Sequence, residues 1–281
     1  MELGTIRTAE GTSAAVRRDD RWMPLGAPDL SALLARADWR TTAEAALASA
    51  APGAGVAGHD AELALPLPAP RKVVCCGLNY ADHILEMGRD LPEHPTLFAK
   101  FADTLTGPTD EVAVPPAAQA ALDWEAELAV VVGAELRGAT EEEARAGIAG
   151  YTLANDLSVR DWQKRTLQWF QGKAWDATTP VGPVLVTADA IDPEDGIEIV
   201  CEVNGVRRQT GSTKTIVFSA AALVAYISQF TVLRPGDVIL TGTPGGVGMG
   251  MQPPLYLADG DTVVVQAAGL GRLENTIRFT H

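Results

Sequence analysis

Two glutamates one residue apart, Glu125 and Glu127 in WEAELAVVVG (124–133), are the most informative pair in the chain for chemistry. The run alternates as a strand, so Trp124, Ala126, Leu128 and Val130 share one face and the two glutamates share the other. Carboxylates within ~7 Å of each other beside apolar residues repel at low effective dielectric unless a cation sits between them. An edge strand whose polar face meets water would carry the same pair with no ion. Asp156 weakens that alternative, because it ends the strand YTLAND (151–156) on the side of Thr152 and Ala154, where a turn can hold a third oxygen ligand. Asp156 could instead cap the following helical stretch SVRDWQKR. Three carboxylates without histidine suit Mg²⁺ or Mn²⁺, with Ca²⁺ as a substitute, better than Zn²⁺.

His83 and Glu86 lie three apart on a helix expected over NYADHILEM, and so on one face. A carboxylate on one imidazole nitrogen raises the basicity of the other, which makes a general base; a surface ion pair has the same spacing. Lys173, in QGKAW, follows a Trp/Phe segment and can set a cation against a developing oxyanion, or simply be solvated. The loop TGTPGGVGMG (241–250) after DVIL can offer backbone N–H groups and the Thr243 hydroxyl to a carboxylate. It lacks the Gly-Lys-Ser/Thr of a P-loop and has no GxGxxG opening a helix, so nucleotide binding is unsupported. No GxSxG elbow and no HExxH occurs, and Cys76 in KVVCCG reads as a small buried hydrophobe rather than a nucleophile.

The elements that must position these groups fall into two parts. Residues 4–25 read as a small antiparallel hairpin sheet broken at Glu10-Gly11 and Asp19-Asp20. LSALLARAD and TTAEAALASA read as short helices, and a Gly/Ala/Pro connector leads to a boundary near residue 70. The expected organisation is a small N-terminal α/β domain over 1–70 and a catalytic domain over 71–281. After the boundary, KVVCCG is a buried strand closed by Gly77, Asn79 can cap the NYADHILEM helix, and GRDLPEHPT is a loop and candidate lid. Strands recur at PVLVT, IEIVCEVNG, DVILTGT and DTVVVQAAG, and one long helix is expected over 219–230 with Ser219 as its N-cap. Strands dominate with no repeating β-helix-β rhythm, which gives an α+β class.

With 281 residues the chain can bury a full core, and 47% hydrophobic with 21% charged residues is ordinary for a soluble globular protein. The 22 Lys+Arg against 36 Asp+Glu give a formal charge of −14 with no basic block, which excludes a nucleic-acid backbone as partner. Three cysteines give no disulfide framework, the start lacks a signal-peptide pattern, and no apolar run approaches the ~20 residues of a membrane span. The expected setting is the cytoplasm, with no membrane partner.

Taken together, GLNYADHILEMG, LFAK with Thr104, WEAELAVVVG, DLSVRDWQ, QGK, VNGVRRQTGST and RPGDVILTGTPGGVG resemble the fumarylacetoacetate hydrolase family over about residues 71–280. The resemblance implies a mixed β-sandwich roll, commonly a homodimer, often with a smaller N-terminal domain. It implies that Glu125, Glu127 and Asp156 are Mg²⁺ or Mn²⁺ ligands, that His83 and Glu86 form a dyad on a lid helix, and that Lys173 is the active-site lysine. Lys100, Arg160, Gln163 and Thr243 match positions that line the substrate site. Leu78 stands where many members carry Arg, which removes a potential substrate-binding charge. The function so implied is metal-dependent hydrolysis of a C–C bond in a 2,4-diketo (acylpyruvate-like) or related small anionic oxo acid. His83, oriented by Glu86, would activate water, and Lys173 with Gln163 would hold the oxyanion. The same site could serve a decarboxylase, isomerase or hydratase of a dioxo acid of oxaloacetate or catechol-pathway type; a non-catalytic metal or ligand-binding domain is the remaining alternative.

Overall fold

The computed structural model describes residues 1–81, 84 and 90–281. Its middle is the strand Ala126–Val132, buried at every position. Alternation sends Leu128, Val130 and Val132 into one apolar cluster and Ala129 and Val131 into another, so AELAVVV serves two cores at once. An exposed edge strand is therefore ruled out for Glu127. Antiparallel neighbours flank it: Ile148–Asn155 with Glu127 opposite Ala154, and Val238–Leu240 with Ala129 opposite Leu240. Val238–Leu240 then pairs in parallel with Val73–Gly77, which pairs with Thr96–Lys100.

On the other side, Ile148–Asn155 pairs with Thr179–Thr187, and that strand pairs with Glu2–Thr8. The N-terminal meander Glu2–Thr8, Gly11–Arg18 and Arg21–Pro24 thus extends the central sheet, which has eleven strands among the described residues. The turn between its last two strands uses Asp19 at φ +53°, a conformation Asp tolerates well. Helices Leu30–Leu34 and Trp39–Ser49 follow, and Leu30, Leu33, Trp39 and Ala43 join the core on that face.

A five-stranded sheet, in the order Val206–Ser212, Glu198–Val203, Thr262–Ala267, Gly271–Phe279 and Val112–Val114, packs on the opposite face. Ile199, Cys201, Val263, Val265 and Leu273 share one core with Leu128, Val130 and Leu153. The fold is α+β, dominated by strands in mixed sheets. Helix Ala220–Phe230 is capped by Ser219, whose Oγ accepts from Ala222 N at 3.1 Å, as expected. Asn79 Nδ2 donates to Thr241 O at 2.8 Å and Phe218 O at 3.1 Å, and its Oδ1 accepts from Phe218 N at 2.8 Å. It ties together the exits of two parallel strands; most of the helix it was expected to cap lies outside the described residues. The stretch expected as one helix from Ser158 splits into a short strand, Ser158–Val159, and a single turn, Arg160–Gln163. All three cysteines are buried and unpaired. Among the described residues no helix is long and apolar enough to cross a membrane.

Candidate active site

The strand pairing itself assembles the acids. Asn155 sits opposite Ala126, and beyond that pair the chains stay joined: Asp156 N donates to Glu125 O at 2.8 Å, and Glu125 N donates to Asn155 Oδ1 at 3.0 Å. Asp156 therefore lies across from Glu125 and diagonal to Glu127. One carboxylate oxygen from each of the three falls within 4.8 Å of the others, and all three residues are buried. The helix after Asp156 takes Val159 as its N-cap residue with no side-chain bond, so Asp156 is not a cap.

Three buried cations answer these acids. Lys173, from the one-turn helix Phe170–Lys173, sends Nζ between Glu125 Oε2 at 2.6 Å and Asp156 Oδ2 at 2.7 Å. Lys100, at the end of its strand, pairs with the other Asp156 oxygen, Oδ1. Arg160 places Nη1 2.7 Å from Glu125 Oε1 and 3.0 Å from Gln163 Oε1. Among the described residues Glu127 has no ammonium within ion-pair distance; its Oε2 accepts from Gly242 N at 2.7 Å. Gly242 makes this contact at φ +100°, where a Cβ would stand 3.0 Å from Cys76 O, so only glycine turns the loop there.

Titration behaviour follows this asymmetry. Burial, then the neighbouring charges of Asp156 and Glu125, push Glu127 well above the usual carboxylate range. Burial pushes Asp156 the same way, but Lys100 and Lys173 outweigh it and leave the carboxyl below its ordinary value. For Lys173 burial favours the neutral amine, yet Asp156 and Glu125 prevail and hold it as the ammonium. Burial, with a smaller push from Glu127, raises the Cys76 thiol to about 12, so it is no thiolate nucleophile.

Above these groups opens a cavity of about 430 Å³. Glu125, Glu127, Arg160, Gln163, Lys173 and Thr243 belong to its polar part, together with Lys164 and Thr166, and Leu78, Phe98, Leu167, Trp169, Val247 and Met249 to its apolar wall. Trp169 packs edge-on against Phe98, with ring centroids 5.7 Å apart, and the Lys173 ammonium lies 5.2 Å from the centre of the Phe98 ring.

Sequence reasoning and structure differ at three points. Lys100, expected among the substrate-lining residues, is buried behind Asp156 and is not part of the cavity lining, because its ammonium is drawn to Asp156 Oδ1. Thr243 lines the cavity, but its hydroxyl donates to Ala126 O at 2.9 Å and accepts from Gln209 Nε2 at 2.8 Å, so its donor is already used. The amides of the glycine-rich loop likewise serve protein carboxylates: Gly242 N meets Glu127, and Gly248 N and Met249 N meet Asp123. Asp123 is the residue that sequence reasoning missed. It is fully buried, and its Oδ2 accepts from Arg160 Nε at 2.7 Å. Its only signal was a carboxylate in the otherwise apolar stretch before Glu125. His83 and Glu86 lie outside the described residues.

Among the described residues, four buried carboxylates (Asp123, Glu125, Glu127 and Asp156) thus face three buried cations (Lys100, Arg160 and Lys173). The excess of one negative charge falls at Glu127, and the donors are all oxygens. A hard divalent cation fits that donor set and that charge. With it bound, the cluster becomes positive by one, the sign a small anion requires.

Residues 72–278 match the family model described as "Fumarylacetoacetate (FAA) hydrolase C-terminal". The chain is 45% identical over 214 residues to a human protein named as a mitochondrial oxaloacetate tautomerase, covering 75% of this chain and 68% of that one. Among solved structures it resembles a fumarylacetoacetate hydrolase from Exiguobacterium antarcticum, at 33% identity and TM-score 0.85, with both chains covered in full. It also resembles a 5-carboxymethyl-2-hydroxymuconate delta-isomerase from Mycobacterium smegmatis, at 33% identity and TM-score 0.80, again over both whole chains.

Proposed function

Since the chain belongs to the fumarylacetoacetate hydrolase family, we propose that it interconverts the keto and enol forms, or double-bond isomers, of a small 2-oxo acid of the oxaloacetate type. The observation that carries this reading is the Lys173 ammonium lodged between Glu125 and Asp156 at the inner end of the cavity. Tautomerisation builds negative charge on the oxygen of a polarised carbonyl, and an ammonium fixed in place by two carboxylates is a group suited to stabilising that charge. Glu125, Glu127 and Asp156 would hold Mg²⁺ or Mn²⁺, which supplies Lewis-acid polarisation of a chelated 2-oxo acid when bound. Arg160 and Gln163 orient the acid's carboxylate, and the apolar wall excludes bulk water from the exchanging proton. Relatives named as tautomerase and isomerase at 45% and 33% identity support the same class.

A second reading, C–C bond hydrolysis of an acylpyruvate, is favoured by the wall of Leu78, Phe98, Trp169 and Met249, which offers an acyl chain an apolar bed. The two are separated by following enol-oxaloacetate and a panel of acylpyruvates with Mn²⁺. The proposal expects loss of the enol absorbance well above the rate with Mn²⁺ alone and no ¹⁸O from solvent in a cleaved acid. Cleavage of an acylpyruvate with ¹⁸O incorporation, and no acceleration of enol loss, would replace it by the hydrolase reading.

A further inference from the structure

Asp123 contributes to no wall of the cavity, yet it bonds to three segments that do. Its Oδ1 accepts from Trp124 N at 2.8 Å, immediately before Glu125, and from Gly248 N at 2.7 Å. Its Oδ2 accepts from Met249 N at 3.0 Å and from Arg160 Nε at 2.7 Å. A buried carboxylate that accepts from four protein donors is a fixed anchor rather than a reacting group. The fit is close: a Cβ on Gly248 would stand 1.9 Å from Leu255 O and 2.8 Å from Asp123 Oδ1, so only glycine lets that loop reach the acid.

The consequence lies in the guanidinium. Asp123 takes Nε, while Glu125 and Gln163 take Nη1, and Nη2 is buried with no hydrogen-bond partner among the described residues. An orphaned N–H on a buried cation is costly unless a ligand meets it. We infer that Asp123 is a positioning residue for substrate: it pins the Arg160 plane and the Gly248–Met249 wall so that the guanidinium is held at the cavity for the carboxylate of an incoming oxo acid. This rests on the proposed reading of the cavity as an oxo-acid site.

The test measures binding, so that it stands apart from turnover. Wild-type protein loaded with Mn²⁺ is titrated with oxalate, a 2-oxo-acid mimic, and Mn²⁺ affinity is measured separately on the cation-free protein. Asp123→Asn keeps size and one acceptor oxygen but turns an NH₂ toward Arg160 Nε and Met249 N, donor against donor. The expected result is oxalate affinity down about tenfold, with Mn²⁺ affinity changed by less than about threefold. Arg160→Lys, which keeps the charge but cannot bond Asp123 and Glu125 together, should show the same loss, and the double variant should add little to either single one. Oxalate binding unchanged in Asp123→Asn would overturn the inference, as would oxalate and Mn²⁺ affinities falling together. Should Asp123→Asn fail to fold, Arg160→Lys decides alone: oxalate affinity like the wild type would sink it. Absence of tautomerase activity with these binding effects intact would remove the proposed reaction and leave the role of Asp123 standing.

Discussion

The inner and outer ends of the cavity are held by different forces. At the inner end Glu125, Asp156, Arg160 and Lys173 are buried, and each has a charged partner at hydrogen-bonding distance. At the outer end Leu78, Phe98, Trp169 and Met249 are half-buried apolar side chains, and Phe98 and Trp169 meet ring edge to face. Removing one partner of a buried ion pair strands its mate and typically costs ~3–5 kcal/mol, whereas a hydrophobic exchange of similar volume costs less than ~1.5 kcal/mol. Under the proposed function the inner end would decide whether the reaction occurs, and the outer end which acid fits.

Lys173→Met should break the inner end most severely. Turnover should fall by about 10²–10³-fold, and the stability of the cation-free protein in urea should fall by ~3–5 kcal/mol, because Glu125 and Asp156 lose their shared ammonium. Mn²⁺ should restore part of that stability by replacing the missing charge; a variant retaining more than a tenth of the activity would place the chemistry elsewhere. Glu127→Gln comes next, with Mn²⁺ affinity down at least ~100-fold by calorimetry. The cation-free fold should be no less stable, because burial, Asp156 and Glu125 already disfavour the ionised carboxyl. Leu78→Arg should act only at the outer end, improving kcat/KM for acids with a second carboxylate over monoacids by about fivefold, since it adds a cation where the wall is apolar. Equal effects on both substrate types would show that Leu78 does not touch the distal group.

The smallest effect is on pH dependence. Glu127 has a folded-state value raised above its unfolded one, so its contribution to stability is complete below about pH 4.5 and is lost as pH rises through the folded value. Asp156, lowered by Lys100 and Lys173 against its burial, works in the opposite sense: its contribution is complete above about pH 3.8 and is lost as pH falls. The melting temperature of the cation-free protein should therefore drop a few degrees as pH rises above 4.5, and this slope should vanish with saturating Mn²⁺ or in Glu127→Gln. Persistence of the slope in that variant would assign it to another group.

The acids were legible from residue type and strand parity, because Glu125, Glu127 and Asp156 lie on one pair of neighbouring strands. Asp123 was not, because its partners Arg160, Gly248 and Met249 lie 37, 125 and 126 residues away and leave no local pattern. That the Lys100 ammonium turns to Asp156 rather than into the cavity was not legible for a related reason: motif position gives proximity to a site but not the direction of a buried side chain. The hairpins, the long helix with its Ser219 cap and the α+β class could be read from periodicity and turn residues. The docking of the N-terminal meander onto Thr179–Thr187 could not, since register between distant strands is set by tertiary packing.

That docking also orders events in time. Met1 and Thr187 meet across 186 residues of chain, and the same neighbourhood continues through Ile148–Asn155 to the strand bearing Glu127. On a ribosome, Glu2–Thr8 can zip to Gly11–Arg18 at once, but its other edge stays open until Thr179–Thr187 has emerged. An open strand edge is a template for wrong partners during that interval. Glu2–Thr8 is thus sealed on its second edge only late, and the sheet that carries the acids closes only after Thr179–Thr187 exists.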